Sequence, residues 1–401
     1  MTTPAELYRN AVDLNRFSNG VARRIALTYN DLILEAVDRL RGIDELSAPA
    51  KAARLRAILA QLKGSLENWA GTSTLAVTEE LQGLAVLQSE FVARELRRAL
   101  PENLQRQIRD VQISPDFARS VATVDPTAIN VVSLSDDLQA AVAGAPRATF
   151  QLTAAQGTAI TLPNGKVISK SFRGLAESQA ELFAKTVRNG LLTGESVDKI
   201  ARRLKGRLRF GESKSVRQLA QKGGEATAVA NNQVMALVRT SVNQVANAAS
   251  QRAYEANQDV TQRYRYVATL DGKTSAICRA LDGRVFEYGK GPTPPQHFNC
   301  RSTTVPIINY EALGIEPPPE GRRKATEGTV PGNLTYGQWL SRQSKADQTK
   351  IFGNSPRRAA YFRKLSNKIG PTEAIRRFVR EDGSEVTLDY LRENYGNVRT
   401  Q

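Results

Sequence analysis

The chain has 401 residues, 41% hydrophobic and 24% charged, with 56 Lys and Arg against 40 Asp and Glu for a formal net charge of +16. These are globular proportions, and the length allows two or three domains with a sizeable buried core. No apolar run is long enough to cross a bilayer, the first residues lack the apolar centre of a secretory leader, and two cysteines do not make a disulfide scaffold. Membrane-spanning and disulfide-rich secreted classes are therefore set aside, and a reducing cytoplasm is the expected setting. Aromatic content is only 6%, so cores are expected to rest on Leu, Val, Ile and Ala. The basic excess concerns partners rather than fold, and a phosphate-rich polyanion is the first candidate.

Along the chain, the predicted fold class is α+β and mainly α-helical. Residues 1–110 read as helices. In "VARRIALTYNDLILEAVDRL" the positions Val21, Ile25, Tyr29, Leu32, Ile33, Ala36, Val37 and Leu40 recur at helical spacing. Val77, Leu81, Leu84, Phe91 and Leu96 repeat the pattern, and "PEN" after Leu100 marks a stop or restart. Residues 111–225 form a mixed region of short strands, loops and helices. There "LPNGKVIS" carries a two-residue hairpin signal at Asn164-Gly165, and helices resume at "LAESQAELFAKTVRNGLLTG". Gly194 ends that helix, and Ser196 is the expected cap of the next.

Residues 226–318 hold a long helix across "NQVMALVRTSVNQVANAASQRAYEAN". Its expected buried stripe is Met235, Val238, Val242, Val245, Ala249 and Ala253, with Arg239 and Asn243 sharing a face. A strand through Tyr264, Tyr266 and Ala268 follows, closed by an Asp-Gly turn. A second Asp-Gly turn stands in "LDGRVFEY", and "PPQHFNCRSTTVPI" reads as a loop. The tail, 319–401, is Pro- and charge-rich and partly helical, anchored by Trp339, Leu340, Ile351, Phe352 and Phe362. Two stretches concentrate the charge: 198–224 with nine Lys or Arg against two acids, and 356–380 with eight against one. Arg202, Arg203, Lys205, Arg207, Arg209, Arg357, Arg358, Arg376 and Arg377 are the candidate contacts for a phosphate backbone, a solvated basic face being the plainer alternative.

Both cysteines, Cys278 and Cys300, and the single histidine, His297, fall in one short window. A Cys–His catalytic dyad has the composition but no accompanying Gly-rich nucleophile turn or oxyanion motif. A metal site of spacing C-x18-H-x2-C offers two thiolates and one imidazole, with Asp271 as a fourth candidate ligand, but no CxxC knuckle. The favoured reading is a compact structural knot. In it the cysteines pack as small apolar groups, His297 bonds a backbone carbonyl, and Pro292, Pro294 and Pro295 stiffen the approach. No cofactor is expected, structural zinc being the lesser alternative.

These residues also carry a resemblance. Arg239-Thr240 and Asn243 lie on a long helix and a Tyr-containing strand follows. Then come Leu270-Asp271 with Lys273-Thr274, Cys278, Leu281-Asp282-Gly283, Pro294-Pro295, His297 and Cys300-Arg301. In order and spacing this resembles the Mu F-like minor head protein family of tailed bacteriophages. The chain departs from that family in having Ser275 and Ser302 where Cys is common. The motif is then expected to be held by hydrogen bonds among Asp271, Thr274, His297 and Arg301. The resemblance implies a non-enzymatic virion protein present in few copies, associated with the portal and other capsid proteins and with packaged double-stranded DNA. It would reside in the capsid interior and, during assembly, in the host cytoplasm. Two other classes stay open: a cellular nucleic-acid-binding protein, and an ADP-ribosyltransferase or nuclease toxin carried on a Mu F-like domain.

Overall fold

The computed structural model describes residues 5–114, 117, 162–212, 215–380 and 383–396. Two long helices, α1 (Ala5–Asp38) and α2 (Ala48–Arg98), open the chain, and Pro101 caps a one-turn α3 (Glu102–Gln105) where the "PEN" signal fell. The strands read between 115 and 161 lie outside the described residues. The Asn164-Gly165 turn is present, with Gly165 at φ 74° and its N–H donating to Leu162 O at 2.8 Å. It leads not into a returning strand but directly into α4 (Ile168–Leu192), several residues earlier than expected. Val167 and Ile168 look strand-like in isolation, yet both are fully buried against the bundle, and that packing overrides their β-propensity.

Gly194, at φ 73°, closes α4, and α5 (Val197–Lys205) follows. Ser196 occupies the cap position, but its side chain makes no cap bond; Asp44 takes the role by accepting from Val197 N at 3.1 Å. Helix α6 (Val216–Lys222) leads to α7 (Glu225–Glu255), the central element. It packs on α1, α2, α4, α5 and α6, and the largest apolar core runs from Leu14 to Ala249 through these helices. Tyr29, Trp69 and Phe172 stack edge to face in it, with ring centroids 5.2 and 5.6 Å apart, and Tyr29 Oη donates to Ala226 O at 2.6 Å. The predicted stripe on α7 holds, Met235 being half-buried and the other five buried.

Beyond α7 lies a three-stranded antiparallel sheet in the order β2 (Val285–Glu287), β1 (Thr261–Val267), β3 (Thr303–Ile308), with the short α8 (Ala276–Leu281) between β1 and β2. The segment read as part of a loop, "TTVPII", is thus a strand, buried at all six positions. Pro306 is tolerated because β3 is an edge of the sheet, and polar side chains of α7 pack against it. A hairpin of β4 (Arg322–Ala325) and β5 (Gly328–Pro331) then introduces the tail. Five helices form its core: α9 (Tyr336–Ser341), α10 (Lys345–Ile351), α11 (Pro356–Ile369), α12 (Pro371–Arg376) and α13 (Leu388–Tyr395). Trp339, Leu340, Ile351, Phe352 and Phe362 all lie in this core. The helix starts are sharply set by side-chain caps from Thr335, Ser344, Ser355 and Thr387.

Candidate functional site

The Cys–His window folds into a clasp behind β1. Ser275 caps α8, its Oγ accepting from Cys278 N at 3.4 Å, and this places Cys278 on the inner side of the helix. The opposing arm is a tight turn in which Cys300 N donates to His297 O at 3.2 Å while Asn299 adopts the left-handed region at φ 61°. Asparagine tolerates that conformation better than other side chains. Helix α7 fixes the turn from beneath: Thr240 Oγ1 accepts from Asn299 N at 3.0 Å, and Asn243 Nδ2 donates to Ser302 O at 2.8 Å. Two residues of the sequence motif thereby act on the loop rather than on a ligand.

Within the clasp the two sulfurs stand 3.7 Å apart, both cysteines are free and buried, and Cys278 Sγ lies 3.4 Å from His297 Nε2. His297 Nδ1 lies 2.8 Å from Phe298 O, an acceptor, so Nδ1 carries a proton and Nε2 faces the sulfurs. Ser275 Oγ is 2.7 Å from Nε2, and Tyr266 Oη is 3.2 Å from Cys278 Sγ. The bond from Cys278 holds the Cys300 thiol well below its ordinary range against the effect of burial, with His297 reinforcing it. Cys278 is pushed up in turn, first by that same bond and then by burial. Cys300 borders a space of only about 20 Å³ next to Asn243 and Arg301, room for a water but not for a substrate.

The expected network of Asp271, Thr274, His297 and Arg301 is divided in two. Asp271 is clamped by Arg301 through both oxygens, at 2.5 and 2.9 Å, and accepts from Thr274 Oγ1 at 3.2 Å. Burial, the largest single influence, would raise its carboxyl, but the bonds and charge of Arg301 together with the bonds from Lys273 N and Thr274 Oγ1 hold it below the usual range. His297 belongs instead to the Ser275 and cysteine group, and Asp271, committed to Arg301, does not complete a ligand set. Asp282, read as a motif residue within an Asp-Gly turn, is a buried hub. It accepts from Ala268 N at 2.7 Å, Tyr336 N at 2.6 Å and both Arg323 Nη atoms, at 2.9 and 3.3 Å. Gly283 beside it needs its φ of 78°, and a Cβ there would lie 2.9 Å from Thr335 Cγ2.

The basic clusters are partly neutralised. Arg203 pairs with Glu195 and Glu225, Arg358 with Glu385, and Arg376 and Arg377 with Glu373. Arg202, Arg207, Arg209 and Arg357 are exposed, and Lys205 is half-buried. A further positive lining lies in a cleft of about 410 Å³ between α1, α7 and β4. Arg16, Arg239, Lys273, Arg301, Arg323 and Lys324 line it, and among the described residues no carboxylate does, although Arg16, Arg301 and Arg323 are paired with Asp13, Asp271 and Asp282. Arg16 and Lys324 carried no sequence signal and Lys273 stood out only beside Thr274 in the motif; the three are far apart in the chain and converge only in the fold. Arg239 meets α1 there, donating to Asn19 Oδ1 at 2.7 and 3.0 Å. Burial lowers its guanidinium from the ordinary value, and Arg301 nearby lowers it further.

A long buried helix laid on a small antiparallel sheet, with a Cys–His clasp and an arginine-lined cleft on its flanks, defines a helical α+β module. Residues 181–305, from within α4 to within β3, match the family model described as Phage Mu protein F like protein. The chain thus carries a Mu F-like segment, as the motif order indicated. No curated protein and no solved structure matches the chain.

Proposed function

We propose that the chain is a non-enzymatic minor head protein of a tailed phage, incorporated in few copies, that meets the portal and other capsid proteins and contacts packaged DNA. The match over residues 181–305 carries this reading. The net charge of +16 supports the DNA contact, because neutralising phosphates releases counterions without any base being read. The cleft lined by Arg239, Lys273 and Lys324 is the favoured phosphate contact, with exposed Arg202, Arg207 and Arg209 as a second basic surface. Protein contacts fall to the helical bundle, where Leu75 and Leu87 of α2 stand exposed.

Detection of the chain in gradient-purified virions and procapsids, together with co-sedimentation with portal assemblies, tests the proposal. The expected result is a sub-stoichiometric band in both particles and a portal-bound fraction. Absence from both particles would overturn it and favour a cellular nucleic-acid-binding role, whereas cleavage of DNA or consumption of a nucleotide by the purified chain would favour an enzyme.

A further inference from the structure

We infer that Cys278, His297 and Cys300 bind a soft divalent cation, zinc being the expected one, which locks the proline-rich loop onto α8 and β1. At metal–sulfur and metal–nitrogen lengths of about 2.3 and 2.0–2.1 Å, tetrahedral angles put two thiolates about 3.8 Å apart and a thiolate and an imidazole nitrogen about 3.5 Å apart. The clasp has 3.7 Å between the sulfurs and 3.4 Å between Cys278 Sγ and His297 Nε2. All three ligand atoms fall within 4.8 Å of one another. The sulfur spacing is far from the roughly 2.05 Å of a disulfide.

Close packing of two thiols would account for the sulfur contact alone. It would not account for an imidazole presenting Nε2 to them while Nδ1 is tied to the Phe298 carbonyl at 2.8 Å. That outer hydrogen bond fixes a ligating histidine's tautomer and ring orientation. Tyr266 Oη, 3.2 Å from Cys278 Sγ, is placed to donate to a ligating sulfur in the same way. Ser275 Oγ, 2.7 Å from Nε2, stands at hydrogen-bond distance rather than the roughly 3.3 Å between tetrahedral ligands, so the serine supports the site from outside the ligand set and a water it holds completes the tetrahedron. Two thiolates and one imidazole are a donor set for zinc rather than for magnesium or calcium, which take oxygen ligands. The site joins two segments 18 residues apart in a buried place a substrate cannot enter. The ion therefore serves the fold, and this inference stands apart from what the chain binds in a particle.

The full-length chain, purified with reductant and without chelator, is tested by elemental analysis, thiol counting, and cobalt substitution. We expect about one zinc per chain, a cobalt spectrum with tetrahedral d–d bands and a thiolate charge-transfer band, and a melting temperature that falls with a strong chelator and recovers with zinc. Ser275→Ala should weaken zinc by about 10–100-fold in chelator competition, the usual effect of losing a supporting polar partner. Ser275→Cys, placing a third thiolate beside Nε2, should tighten it. Cys300→Ser should lower the charge-transfer intensity by about half or more, one of two thiolates being lost, and the two Ser275 variants keep the test decisive if that protein fails to fold. A folded wild type with no bound metal, no cobalt band and no zinc-dependent melting would overturn the inference. So would a Cys278–Cys300 disulfide in the reductant-treated protein.

Discussion

Replacing Asp282 by asparagine keeps the shape of the buried hub and removes its charge. The Asp282 side chain is 0% exposed and that of Arg323 4%, and the carboxylate receives two backbone N–H groups in addition to the guanidinium. Removing one partner of a buried ion pair costs about 3–5 kcal/mol, because the remaining charge is left uncompensated where water cannot reach it. The introduced amide would also point its NH₂ group at a site built only of donors. The loss should appear in the sheet and tail, since Asp282 joins Ala268, just past the end of β1, to the start of α9 at Tyr336. Trp339 lies in the tail core and Trp69 in the bundle, so urea unfolding followed by fluorescence in a Trp69→Phe background reads the tail alone. We expect Asp282→Asn to destabilise that transition by about 3–5 kcal/mol. Adding Arg323→Met should restore part of it, through a coupling of about 2–3 kcal/mol. A loss within about 0.5 kcal/mol, the level of an ordinary surface change, would refute the claim that Asp282 is a structural hub and return it to a simple turn residue.

Gly206 stands at φ 63°, and a Cβ there would lie 2.3 Å from Lys222 O. Gly206→Ala should therefore destabilise by more than the roughly 1–2 kcal/mol of the left-handed penalty alone, measurable as a lower urea midpoint read from Trp69. The Asp271 carboxyl sits below its ordinary value when folded, so its contribution is full above the unfolded pKa and is lost as pH falls through the lower folded one. In acid titration the melting temperature of the wild type should accordingly fall more steeply below about pH 4 than that of Asp271→Asn, and parallel curves would contradict the assignment. Exposed Lys273 and Lys324 line the basic cleft. Converting both to Glu should weaken binding to a random duplex and lower the slope of log affinity against log salt by about 0.9 per lost phosphate contact. An unchanged slope in fluorescence anisotropy would remove the cleft from the DNA reading.

The bundle was legible because its helices carry apolar stripes at helical spacing, and those stripes are the ones buried. Strand β3 was not legible. Pro306 and the threonines around it suggest a loop, and only the contact with α7 makes a strand of them. The motif residues were legible as a set but not in their roles. Thr240 and Asn243 hold the His297–Cys300 turn, Asp282 binds a partner 41 residues away in Arg323, and Asp271 closes on Arg301 instead of on the histidine. Local sequence shows which residues are unusual, whereas the choice among nearby polar partners is settled by backbone geometry. The two serines departing from the family pattern carry no role in the expected network of Asp271, Thr274, His297 and Arg301. Ser275 is instead the nearest polar neighbour of His297.

Helix α7 shows why a polar face can be diagnostic of a buried element. An apolar contact between a helix and a strand is non-directional, so it leaves the strand free to slide by small steps. Hydrogen bonds of fixed geometry prevent that. Gln251 Nε2 donates to Thr304 Oγ1 at 2.9 Å and Tyr254 Oη to Thr304 O at 3.1 Å, while Asn243 holds Ser302 O and Thr240 holds Asn299 N. Each bond adds only about 0.5–1.5 kcal/mol net, but a slip would bury unmet donors and acceptors at about 1–3 kcal/mol each. The resulting energy gap selects a single register. Because the same strand begins soon after Cys300, that register also sets where the Cys300 sulfur and His297 Nε2 stand relative to Cys278. Asparagines and glutamines that lower the apolar contrast of α7 in the sequence are therefore the residues that give the clasp its geometry. A polar substitution pattern on this one helix should move the Cys–His distances without touching either residue.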